Sequence, residues 1–158
     1  MSEVKRDHPG VIAPPPLIYL GFLLAGWALG RAAGLPEIGG EHRPRMAVAV
    51  VLIVSGLVLD MWSMGAFRKR GTAVQPWKPS TALVAEGPYR FSRNPIYVGF
   101  ALSYVGLALA LQSWLALAFL PLALIVVDRG VIAREERYLS AKFGAPYEAY
   151  RARVRRWL

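Results

Sequence analysis

The sequence predicts an all-α polytopic membrane protein with about four transmembrane helices, and three observations carry that reading. Of the 158 residues, 55% are hydrophobic and 18% charged, with a mean hydropathy of +0.36; a soluble domain of this length is normally more polar. Apolar blocks of about 20 residues, the length that crosses a bilayer core, recur along the chain. Lys and Arg gather in alternate connecting segments, as the positive-inside rule requires.

Residues 1–16 form an N-terminal tail with Lys5, Arg6, Pro9 and a Pro14-Pro15-Pro16 run. The apolar stretch after them is too long for a signal core and lacks a cleavage site, so the tail does not read as a cleaved signal peptide. Residues 17–35 form the first span, with Tyr19, Trp27 and a single charge, Arg31, near its end. A turn-rich connector, residues 36–44, leads to a second span over 46–67 that contains Asp60 and is stopped by Arg68-Lys69-Arg70-Gly71. Residues 72–85, with Pro76, Trp77 and Pro79, read as a long loop of mixed polarity. The third span covers 95–111 and the fourth 114–133. Only Gln112-Ser113 joins them, which predicts a tight antiparallel hairpin. Without a breaker, the fourth continues into a cytoplasmic helical extension and then a basic, aromatic tail. The whole chain, 1–158, reads as a single membrane-embedded domain: the tail 1–16, spans one and two over 17–67, and a ligand-binding loop, hairpin and C-terminal extension over 68–158, the ligand being the cofactor that the resemblance below implies.

With four spans, one side of the membrane receives Lys5 and Arg6, six basic residues between spans two and three, and eight after span four; the other receives Arg31, Arg43 and Arg45. That asymmetry places both termini and the loop before span three in the cytoplasm, in a membrane of the bacterial inner type. A net charge of +9 then reports orientation and contact of the tail with anionic lipid headgroups, ahead of any nucleic acid. The absence of cysteine excludes disulfides, thiolate metal sites and a cysteine nucleophile, and no His cluster supplies a metal site.

The segment Gly87-Pro88-Tyr89-Arg90-Phe91-Ser92-Arg93-Asn94-Pro95-Ile96-Tyr97-Val98-Gly99 organises the rest. Asn94 suits a helix N-cap and Pro95 the first helical position. A helix start with arginines one turn upstream suits a carboxylate or phosphate. The hairpin brings this start beside the end of span four, where Asp128, Glu135 and Glu136 lie. A spacing of seven puts Asp128 and Glu135 on one helical face and Arg129 with Glu136 on another.

These residues carry a family resemblance. Gly87-Pro88-Tyr89-Arg90, Arg93-Asn94-Pro95, Tyr97 and Gly99, then Glu135-Glu136 and Leu139, then Phe143-Gly144, Tyr147 and Tyr150, resemble the integral-membrane methyltransferases, which include isoprenylcysteine carboxyl methyltransferases and phospholipid N-methyltransferases. The resemblance covers roughly residues 68–151. It implies S-adenosylmethionine as cofactor, S-adenosylhomocysteine as product, and a lipophilic acceptor entering from the membrane. Carried over by position, it gives Gly87, Tyr89, Arg90, Arg93, Asn94, Pro95, Tyr97, Gly99, Glu135 and Glu136 as cofactor-binding residues, with Arg93, Asn94 and Glu135 as the catalytic candidates. Family members often have His where this chain has Asn94, which hydrogen-bonds but does not titrate. The acceptor is either a phospholipid amine or an isoprenoid-linked carboxylate. The loss of His keeps a second reading, a non-catalytic lipid-binding or assembly module on the same fold.

Overall fold

The computed structural model describes residues 8–158; Lys5 and Arg6, counted above toward orientation, lie outside the described residues. Helix α1 spans Pro15–Ala32 and α2 His42–Lys69; a 3-10 turn covers Gly87–Arg90; α3 runs Pro95–Ala110 and α4 Trp114–Val127. A π-helical turn, Asp128–Ile132, joins α4 to α5, Ala133–Phe143, and α6 follows as Ala145–Arg153. The protein is all-helical: among the described residues β-pairing is limited to an isolated bridge between Glu37 and Ser113.

Local chemistry fixes most boundaries. Ser113 caps α4, its side chain accepting from the Ala116 N–H at 3.1 Å. Gly144, at φ +56°, takes a left-handed conformation costly for other residues, and so separates α5 from α6. Pro95 opens α3 as expected, but Asn94 makes no side-chain cap.

Among the described residues two helices are long and apolar enough to cross a membrane: α2 and the continuous 30-residue stretch from Trp114 to Phe143. The α2 start lies four residues before the expected one, and α3, at 16 residues, rises only about 24 Å. Large apolar side chains such as Leu20 and Leu24 on α1, and Val51, Val58 and Met61 on α2, are exposed, an outward face that lipid would cover.

Backbones approach most closely in two pairs. On the α2–α3 seam, a Cβ built on Gly56 would lie 2.5 Å from the Gly99 carbonyl oxygen, and one on Gly106 would lie 2.6 Å from that of Ala49. On the α1–α4 seam, a Cβ on Gly26 would lie 2.7 Å from Ala116 Cα. Small residues let helices in lipid gain dispersion contact along their whole length. Thus the glycine face of α3 goes to α2, and α4 seats against α1. The α3 and α4 segments are joined by the two-residue connector, yet each packs principally on another helix rather than on its neighbour in sequence. Tyr104 ties α3 to α4 by donating to the Ala116 carbonyl at 2.7 Å.

A candidate cofactor cleft at the start of α3

The π turn decides which acids meet. A π turn holds one residue more than an α turn, and one residue is about 100° of helical phase. The expected pairing of Asp128 with Glu135 therefore gives way to Asp128 with Glu136, eight residues on. Arg156 joins those two: its Nη1 donates to Asp128 Oδ2 at 3.1 Å and its Nη2 to Glu136 Oε2 at 2.5 Å. Gly130 leaves room within the turn for Ile12 of the N-terminal segment, whose N–H donates to the Gly130 carbonyl at 3.3 Å.

Glu136 also accepts from Arg93 Nη2 at 2.8 Å. Arg93 Nη1 donates to the Arg151 carbonyl at 3.1 Å, while its Nε is buried with no hydrogen-bond partner. Paired acids and arginines of this kind lose much of their water, and the loss is offset only where partners are close and well aligned. The expectation of a pair of arginines free to hold an anion is therefore modified: Arg93 is committed on both Nη atoms and Arg90 is exposed.

Glu135 faces α3. The Tyr97 hydroxyl donates to it, 3.0 Å from Oε1 and 2.9 Å from Oε2. Tyr97 is itself fixed to α1, its carbonyl accepting from the Tyr19 hydroxyl at 3.0 Å. Tyr150 donates to the Tyr89 carbonyl at 2.8 Å, and Tyr89 sets its ring edge-on to Phe67. Burial, with Glu136 adding to it, pushes the Tyr147 phenol up to about 12, and burial likewise raises Tyr89 and Tyr150 well above the ordinary value. All three stay neutral at physiological pH and present aromatic faces with polar tips.

The C-terminal segment closes this end. The Arg93 N–H donates to the Arg155 carbonyl at 2.9 Å, and the Asn94 amide donates to the Arg156 carbonyl at 2.9 Å. Asn94 therefore holds the tail instead of capping α3. Trp157 Nε1 donates to Asp128 Oδ1 at 3.2 Å. The hydrogen bond that Arg156 donates to Glu136, with the charges of Glu136 and Asp128, holds its guanidinium above its ordinary value against the opposing effect of burial. The expected lipid-binding arginines of the tail divide: Arg151, Arg153 and Arg155 are exposed, and Arg156 is half-buried in the acid pair.

Between these elements lies an open cleft of about 820 Å³, its mouth included, lined by Tyr89, Arg93, Asn94, Tyr97, Glu135 and Glu136 among the sequence candidates. Gly87, Arg90, Pro95 and Gly99 do not line it. Gly87, at φ +60°, turns the backbone beside Trp62, and Gly99 sits under Asp60 in the α2–α3 seam. Several walls were not named as site residues by the sequence: Phe67, the individual loop residues Val74, Ser80 and Leu83, and Tyr138 on α5, while Leu139 entered only as part of the family motif. The loop is fastened by the Ser80 N–H donating to the Tyr138 hydroxyl at 3.1 Å and the Thr81 N–H donating to Thr72 Oγ1 at 2.9 Å. Its mixed polarity was the available signal. No spacing rule reports that such a loop folds back over a helix.

The family model for phospholipid methyltransferases matches residues 44–146, from the second residue after the α2 start through the Gly144 break. The chain belongs to the phospholipid methyltransferase family. This family member is 42% identical over 62 residues to an uncharacterized protein of Haemophilus influenzae, covering 35% of this chain and 98% of that one. It is 36% identical over 72 residues to a protein-S-isoprenylcysteine O-methyltransferase of Schizosaccharomyces pombe, covering 46% of this chain and 30% of the relative. It is also 35% identical over 66 residues to the cobalt-zinc-cadmium resistance protein CzcN of Cupriavidus metallidurans, covering 42% of this chain and 31% of the relative. The matched portions thus span under a third of the two longer relatives. No solved structure matches this chain. The family match contains Arg93, Tyr97, Glu135 and Glu136, and ends before Tyr147, Tyr150 and Arg156.

Proposed function

We propose that this methyltransferase-family protein binds S-adenosylmethionine in the cleft and transfers its methyl group to a lipophilic acceptor in the membrane, releasing S-adenosylhomocysteine. The single observation that carries the reading is Arg93 Nε, a buried cationic donor without a partner on a side chain that lines the cleft. A buried donor left unpaired costs about 1–3 kcal/mol, and a ligand carboxylate would satisfy it. The residues present fit such a group: the phenols of Tyr89, Tyr147 and Tyr150 offer faces to an adenine ring or a sulfonium, and Glu135 supplies negative charge for a cation. When bound, the donor supplies an electrophilic methyl group on sulfur, displaced in line. The chain's own task is to align the reactants and exclude water. Arg93 anchors, Tyr97 fixes the rotamer of Glu135, and Asn94 holds the tail at the cleft wall through the Arg156 carbonyl. A carboxylate acceptor would need no base. An amine acceptor must lose a proton, and Glu135 is the cleft group placed to take it.

Calorimetric titration of the nanodisc-embedded protein with S-adenosylhomocysteine tests the reading. Saturable binding that Arg93→Ala loses supports it; no binding by well-folded protein with lipid supplied overturns it. The second reading, a non-catalytic lipid-binding or assembly module, draws on the Asn94 amide donating to the tail at 2.9 Å, a structural use of the position where family members often have a titratable His.

The same proposal includes a single domain over 1–158 with four spans, α1 and α3 crossing alongside the two longer helices, both termini and the cleft cytoplasmic, in a bacterial-type inner membrane. At 18 and 16 residues the shorter helices reach about 27 and 24 Å, close to the roughly 30 Å core once flanking residues are added. Exposed Arg151, Arg153 and Arg155 would lie against anionic headgroups. Cysteines placed at Gly40 and Ala145 should label from opposite faces, since α2, α3 and α4 lie between them; labelling from the same face would refute three crossings between them, and with them the four-span topology.

A further inference from the structure

Two guanidinium groups meet on the carboxylate of Glu136, and they meet it differently. Arg156 grips it at two points, Nε 3.2 Å from Oε1 and Nη2 2.5 Å from Oε2. Arg93 touches it at one, Nη2 2.8 Å from Oε1. Arginine and carboxylate prefer a two-point fork with parallel N–H bonds, and the side-on fork uses Nε together with Nη2. With that fork taken by Arg156, Arg93 retains only its single contact. Its Nη1 is committed to the Arg151 carbonyl at 3.1 Å, and its Nε is the donor left over. Asp128 completes the arrangement by accepting from Arg156 Nη1 at 3.1 Å. Two acids then balance two arginines.

We propose that Arg156 is a positioning residue of the cleft: by occupying the fork on Glu136 it prevents Arg93 from collapsing onto that carboxylate, and so keeps the Arg93 Nε–H available to a ligand carboxylate. The inference rests on the cofactor reading above, and it adds a residue outside the segment matched by the family. It does not need the side chain of Arg156 to hold the tail in place. Main-chain contacts do that: the Arg155 carbonyl accepts from the Arg93 N–H at 2.9 Å, and the Arg156 carbonyl accepts from Asn94 Nδ2 at 2.9 Å and Ser92 Oγ at 3.4 Å. A substitution at 156 therefore separates positioning from docking. Lysine keeps the charge and one hydrogen bond but not the planar fork.

The test uses the full chain in nanodiscs and two readouts: affinity for S-adenosylhomocysteine, and the position of the Arg93 Nε–Hε resonance in ligand-free protein, assigned by its loss in Arg93→Lys. Arg156→Gln should weaken binding about tenfold, the order expected for losing one hydrogen bond to a charged group, and should move the Arg93 resonance. Arg156→Lys should recover part of both, with binding reduced about threefold relative to the wild type. Wild-type affinity in Arg156→Gln overturns the proposal whatever the resonance does. Should the Gln variant fail to fold, Arg156→Lys decides alone, and wild-type affinity with an unmoved resonance overturns the proposal. If the wild type itself does not bind S-adenosylhomocysteine, the cofactor reading falls. The resonance then judges Arg156 separately: movement in Arg156→Gln supports its hold on Arg93, and an unmoved signal removes that as well.

Discussion

The two ends of the helical bundle each carry an arginine bonded to a glutamate, and the pairs differ in nearly every respect that matters. Arg31 and Glu37 meet at 2.9 Å with 63% and 56% of their side chains exposed. Arg93 and Glu136 meet at 2.8 Å with 11% and 9% exposed. In the first pair water competes with the bond, salt screens it, and the net contribution approaches zero. In the second, desolvation has already been spent, so the charges persist only because Arg156 and Asp128 complete the arrangement. Equal distances thus conceal unequal roles. A buried network with one donor unpaired is where a ligand would make its largest difference.

The sharpest break in the comparison is Arg93→Ala. It deletes the unpaired donor and one partner of Glu136, and affinity for S-adenosylhomocysteine should fall about a hundredfold, near the upper range for a charge-assisted bond. Helix content by circular dichroism should hold, because Arg156 still neutralises Glu136. Unaltered affinity would remove Arg93 from the ligand site and leave it a buried structural partner of Glu136.

Next in size is Gly99→Ala, which asks whether a residue at the functional end can matter through packing alone. Its Cβ would lie 2.7 Å from the Asp60 Cγ and 2.9 Å from the Gly56 carbonyl oxygen. Forcing such contacts costs about 1–3 kcal/mol. Thermal unfolding in detergent should shift down clearly, while the folded fraction keeps its affinity for S-adenosylhomocysteine. Lost affinity without lost stability would return Gly99 to the cofactor contacts that the family resemblance implies.

Glu135→Gln should follow, with turnover reduced about tenfold. The amide still accepts from Tyr97, so the wall persists, but the negative charge offered to a cationic centre is gone. If the acceptor is a carboxylate, the loss should appear in cofactor affinity and spare the chemical step. A full loss of the step with affinity intact would identify Glu135 as the base for an amine.

What the sequence could and could not disclose follows from the same contrast. The helical class, the start of α3 at Pro95 and the convergence of Arg93, Tyr97, Glu135 and Glu136 were legible, since apolar period, proline preference and motif order are local signals. The partner of each acid was not legible. It depends on the π turn, which adds one residue of phase between Asp128 and Glu136 and leaves no mark in hydropathy. The helix pairing was equally hidden, because Gly56, Gly99 and Gly106 declare close packing without naming the neighbour. The tail misled for a physical reason. Arg151, Arg153, Arg155 and Arg156 look alike as composition, and only the fold separates three exposed charges from the one held by Asp128 and Glu136.

The smallest expected effect, Arg31→Gln, is the control that gives the others meaning. Arg31 Nη1 donates to Glu37 Oε1 on the rim of a polar hollow near the α3–α4 connector, so geometry alone would rank it with Arg93. Exposure predicts otherwise. Holding two long side chains in one pose costs entropy, and water replaces the bond when it is removed, so stability should change by less than about 0.5 kcal/mol. Raising salt should weaken the native pair without moving the affinity for S-adenosylhomocysteine, because the buried pair is screened far less. Unfolding curves at low and high salt, measured beside the Arg93→Ala titration, give the comparison directly. A loss at Arg31 of the size found at Arg93 would mean that burial is not what separates the two ends, and the case for the cleft would then have to stand on the unpaired Arg93 Nε alone.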